Sequence, residues 1–85
     1  MYVLCNHTVR NPREFWERAA QALPNLPDGI RIHNVFPNAD GTRGVCLWEG
    51  DSLEHVRAFV DGATRDVSDN DFFAVQADNA RGLPQ

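Results

Sequence analysis

The sequence predicts an α+β fold of the ferredoxin-like kind, a four-stranded antiparallel sheet with two helices on one face. Three observations predict it. Four segments are rich in β-forming residues, two others repeat apolar residues at helical spacing, and the six follow one another as strand–helix–strand–strand–helix–strand. That order is the split β-α-β arrangement. The 85 residues, 42% hydrophobic, have apolar material for one compact core. A chain of this size buries only roughly 60–65% of the surface exposed when unfolded, so a second copy or a bound ligand would add useful stability. Residues 1–85 are therefore expected to form one domain, with 78–85 as a C-terminal tail.

Residues 2–9 (YVLCNHTV) contain neither Pro nor Gly and read as the first strand. Asn11-Pro12 then starts a helix: Asn accepts from first-turn N–H groups, Pro suits the first helical position, and Glu14 favours the positive helix end. Phe15, Trp16, Ala19, Ala20 and Leu23 give this helix its buried face, and Pro24, Pro27 and Gly29 end it. Residues 30–36 (IRIHNVF) and 43–49 (RGVCLWE) form a hairpin around the turn-forming stretch Pro37 to Gly41. Ser52 or Asp51 caps the second helix, whose inner stripe is Leu53, Val56, Phe59 and Val60. Gly62 is the expected stop, and residues 72–77 (FFAVQA) the fourth strand.

Composition excludes several functions. All eight basic residues are arginine, so no Schiff-base or phosphate-loop lysine exists. A net charge of −4 without a basic stripe argues against a nucleic-acid partner. No apolar run reaches the roughly 20 residues of a membrane span, so no membrane partner is expected. The N-terminus carries no signal-peptide pattern, and with two cysteines the expectation is a cytoplasmic protein with free thiols. Ser52 and Ser68 are the only serines, and neither lies in a G-x-S-x-G turn.

Strand parity is the most informative pattern. The aliphatic sets Ile30, Ile32, Asn34, Phe36 and Val45, Leu47 are expected to face the helices. With Tyr2 and Leu4 also inward, the open face collects Cys5, His7, Arg31, His33, Cys46 and Trp48. Two such faces packed together form a dimeric α+β barrel around a cavity, so a homodimer is expected. Imidazole and thiolate suit nickel, zinc or copper, which makes His7, Cys46, Cys5 and His33 candidate metal ligands. The same residues also permit acid–base work on a small organic molecule, with Arg31 holding an anionic group and Trp48 stacking on a ring. Each Cys and His is equally readable as a packed structural residue.

The chain resembles the small ferredoxin-like nickel-binding family of the dimeric α+β barrel group. The likeness lies in Leu4-Cys5-Asn6-His7 ending the first strand, in Cys46-Leu47-Trp48-Glu49 running into a Ser52-capped helix, and in the aromatic last strand Phe72-Phe73-Ala74-Val75. It spans residues 2–77 as short matches, and Asn6 stands where the family favours an acidic residue. The resemblance implies a nickel-class ion held by His7 and Cys46. The wider group also contains cofactor-free monooxygenases, cyclases and isomerases, so an enzyme acting in the same cavity is the alternative expectation.

Overall fold

The computed structural model describes residues 1–84. Its elements are β1 (Tyr2–Val9), α1 (Pro12–Ala22), β2 (Arg31–Pro37), β3 (Arg43–Glu49), α2 (Leu53–Thr64) and β4 (Ser68–Ala74). The strands form one sheet in the order β2-β3-β1-β4, every neighbouring pair antiparallel. This is the expected ferredoxin-like α+β architecture. No helix among the described residues is long and apolar enough to cross a membrane.

Both helices begin where side chains satisfy their free N–H groups. Asn11 Oδ1 accepts from the Glu14 N–H at 3.2 Å, with Pro12 at the first turn. Ser52 Oγ accepts from the His55 N–H at 3.0 Å. The expected stop at Gly62 is not used. Helix α2 continues to Thr64, because the exposed Gly62 keeps a negative φ and Thr64 Oγ1 donates to the Val60 carbonyl at 2.8 Å.

The parity expected for β1 and β3 is reversed. Val3, Cys5, His7 and Val9 are buried toward the helices, and Cys46 and Trp48 join them. Tyr2, Leu4, Val45 and Leu47 take the opposite face. Size explains the arrangement. The central strand β1 presents small side chains to the helices, which leaves room for Trp48 on one flank and Phe72 on the other. Strict alternation also fails in β2, where the register shifts between Ile32 and Asn34. The extra residue, His33, lets both Ile32 and Val35 pack on the helix-side core.

Strand β4 begins four residues earlier than expected. Ser68 and Asn70 take the inward positions opposite Val9 and His7, and Asp69 and Asp71 point away. Polar residues on the inner face hide this strand from an apolar pattern. Beyond β4, Ala80 to Leu83 lie against Leu4, Leu47 and Phe36 on the face without helices, and Tyr2 Oη donates to the Pro84 carbonyl at 3.5 Å. Of the expected tail 78–85, Gln85 lies outside the described residues.

Gly50, where β3 hands over to α2, is sterically required. A Cβ there would come within 2.8 Å of Val56 Cγ2, and Val56 is fully buried. Gly50→Ala is expected to cost about 1–3 kcal/mol, measured as a lowered urea midpoint. An unchanged midpoint would show that α2 docks less tightly than this contact requires.

Candidate functional site

The inward residues of β1 meet the helices across a narrow cleft. Its walls are His7, Cys46 and Trp48 from the sheet, Ile32 and Val35 from the bulged strand, and Phe15, Trp16 and Phe59 from the helices. Alanines 19, 22 and 63 face it, and their short side chains leave the space open. The cleft encloses about 470 Å³ counted out to solvent, but only about 50 Å³ of it admits the centre of a water molecule. The second figure governs what enters without movement, because the first includes the open mouth. The walls are almost wholly apolar.

His7 is held by a network rather than by packing alone. Its Nδ1 lies 2.6 Å from Asn70 Oδ1. Asn70 Nδ2 donates to Asp61 Oδ1 at 2.9 Å and to Thr64 Oγ1 at 2.9 Å. Ser68 Oγ sits 2.8 Å from the same Asn70 oxygen. β1, β4 and α2 are thereby tied together at one imidazole. The ring also packs on Phe15, with centroids 5.0 Å apart. Burial pushes the His7 pKa below its ordinary value, against the opposing effects of Asn70 and the Asp61 charge.

Two buried ring nitrogens have no hydrogen-bond partner, His7 Nε2 and Trp48 Nε1. Both belong to residues lining the cleft. Trp48 leans edge-on toward Phe59, with centroids 6.0 Å apart, so its indole contributes to the wall.

The thiols are neighbours and strongly protonated. Cys5 and Cys46 are directly opposed in the β1–β3 register, and both are free. Burial raises the pKa of Cys5, with the neighbouring Cys46 adding to the effect, and raises that of Cys46 to about 11. Cys5 Sγ is 3.6 Å from His7 Nδ1, the nitrogen already engaged by Asn70.

The six expected site residues therefore separate. Cys5, His7, Cys46 and Trp48 come together, but beneath the helices rather than on the open face. His33 and Arg31 do not join them. His33 Nε2 lies 2.9 Å from Glu49 Oε1, its ring 5.6 Å from that of Tyr2, on the side without helices. That hydrogen bond holds the Glu49 carboxyl below the usual carboxylate range. Arg31 is exposed and pairs in register with Glu49. Alternation about the inward Ile32 leaves both on the open face, whereas the reversed parity of β1 and β3 carries the other four beneath the helices. The four expected metal ligands thus do not converge, and among the described residues no three His, Cys, Asp or Glu side chains gather closely enough to hold an ion.

Sequence reasoning missed Asn70, Asp61 and Thr64. For Asn70 the signal was the alternation Ser68-Asp69-Asn70-Asp71, in which only every second residue is acidic, whereas no local pattern marks Asp61 or Thr64. It also missed Arg18, which crosses the cleft mouth. Arg18 grips both oxygens of Asp66 at 2.5 and 3.0 Å, donates to the Ala63 carbonyl at 3.2 Å and meets Glu14 at 3.1 Å. Its guanidinium is thereby committed to the rim.

The lowered His7 pKa carries a pH signature. The unfolded chain binds the proton near pH 6.5, whereas the folded chain resists it. Stability from a neutral His7 is thus present above pH 6.5 and lost as pH falls toward the folded pKa. Urea denaturation at pH 7.5 and 5.0 is expected to show a larger acid loss for the natural chain than for His7→Asn. Equal losses would contradict a buried neutral imidazole. The chain matches no protein-family model, no curated protein and no solved structure.

Proposed function

We propose that this protein binds a small organic molecule in the cleft between its sheet and helices, as a ligand carrier or as an enzyme of the α+β barrel type. The observation that carries the reading is the pair of unpartnered ring nitrogens, His7 Nε2 and Trp48 Nε1, buried in the wall of an otherwise apolar cleft. An unsatisfied buried polar group costs roughly 1–3 kcal/mol. A purely structural core has little reason to keep two of them in residues lining one cleft. A ligand supplying their partners would recover part of that cost, and apolar walls with a few fixed polar groups are what small-molecule sites present. Entry requires the side chains at the mouth to shift, Phe59 and Leu23 among them, since both are only partly buried.

A metal-handling role is the second reading, favoured by the 3.6 Å approach of Cys5 Sγ to His7 and the opposition of Cys5 and Cys46. It requires Asn70 to release Nδ1 and buried thiols to lose protons. A homodimer through the face without helices is part of the proposal, supported by Phe36 and Phe73, which are 63% and 48% exposed. Two free thiols support a reducing, cytoplasmic setting.

Native mass spectrometry of untagged protein reads all three features together. The expected species is a metal-free dimer that retains, or takes up, a small apolar molecule. One nickel, zinc or copper per chain with no organic uptake would replace this reading by the second. A monomer that takes up neither would overturn both.

A further inference from the structure

The hydrogen-bond network behind His7 defines which kind of molecule the cleft can hold. Asn70 has only one workable orientation. Its Nδ2 faces the Asp61 carboxylate, which only accepts when ionised, and the Thr64 hydroxyl, whose proton goes to the Val60 carbonyl. Rotating the amide would set an oxygen against that carboxylate. Asn70 Oδ1 therefore faces His7, and an amide oxygen cannot donate. The proton of the neutral imidazole must sit on Nδ1, which leaves Nε2 as a bare lone pair. The tautomer is thus fixed by Asp61, two residues removed from the cleft. The Trp48 indole is the complement, an N–H that can only donate. The two sit four residues apart in the β3 register, because His7 pairs with Gly44 and Val3 with Trp48. That places their backbones roughly 13 Å apart along the strands.

Resting on the cleft-binding reading, we infer that the cleft takes an uncharged apolar molecule bearing a hydroxyl, which donates to His7 Nε2, and that a carbonyl or ether oxygen further along it accepts from Trp48 Nε1. Carboxylates and amines are disfavoured. The one cation at the mouth, Arg18, is already paired with Asp66 and Glu14, and the walls hold no acid. The smallest probe of the hydroxyl position is phenol, and its O-methyl ether anisole keeps the ring and removes the donor.

Titrations of phenol and anisole into isotope-labelled protein, followed by NMR at neutral pH, test this directly. Phenol is expected to bind roughly tenfold more tightly than anisole, the effect of about one hydrogen bond. In His7→Phe, which removes the lone pair but keeps a ring, the two are expected to bind alike. Equal affinities in the natural chain would overturn the hydroxyl assignment and leave the cleft reading standing. Binding of neither would overturn both. Independently of any ligand and of whether His7→Phe folds, long-range 15N–1H correlations of the His7 ring are expected to show Nδ1 protonated and Nε2 bare. A protonated Nε2 would overturn the inference.

Discussion

The burial of one imidazole organises this molecule. His7 sits on the interior strand β1 with almost no exposure, and a polar ring there must find partners or be expelled. It finds one in Asn70 on the neighbouring strand, which is itself held by Asp61 and Thr64 on the second helix. Because the partners come from β4 and α2, satisfying His7 fixes how these elements meet. The network also determines which nitrogen is used up and which is left over. A networked polar group of this kind specifies one arrangement of a core more sharply than apolar packing does.

The cleft arises from the same arrangement. Small residues on β1 allow the large Trp48 and Phe72 to flank it, while the helices answer the sheet with alanines near its centre. Close packing is therefore incomplete where the unpartnered nitrogens lie. Arg18 spans the opening from α1 to the end of α2, and its charge is neutralised by Glu14 and Asp66 rather than offered to the interior. The outcome is a narrow, apolar space lined by two residues whose ring nitrogens have no partner.

The other face of the sheet has a different character. Tyr2, His33 and Glu49 make a polar cluster at one edge, and the C-terminal segment covers Leu4 and Leu47. The tail thus replaces part of the surface that an open sheet would otherwise leave to water. Phe36, which the segment only borders, and Phe73 on the edge strand β4 remain exposed.

The order of elements, both helix caps and the β2–β3 hairpin were determined by local chemistry and were legible in the sequence. Asn11-Pro12, Ser52 and the turn from Pro37 to Gly41 act on residues beside them in the chain, so no tertiary knowledge is needed to read them. The grouping of Cys5, His7, Cys46 and Trp48 was legible too, since period-two alternation places each pair on one side of its strand. Which side was not. Alternation defines two faces without saying which one the helices cover, and that choice rested on how Trp48 and Phe72 fit around the small residues of β1. His33 stayed on the open face expected for it while Cys5, His7 and Cys46 turned beneath the helices, and the shift after Ile32, which only strand pairing reveals, turned Val35 inward as well. Asn70 and Asp61 lie 63 and 54 positions beyond His7 by their numbers in the chain, and only folding brings them into one network with it. Local patterns along the chain set the architecture and the grouping of Cys5, His7, Cys46 and Trp48. The tertiary structure decided their face, their protons and the space they enclose, because those depend on packing between distant segments.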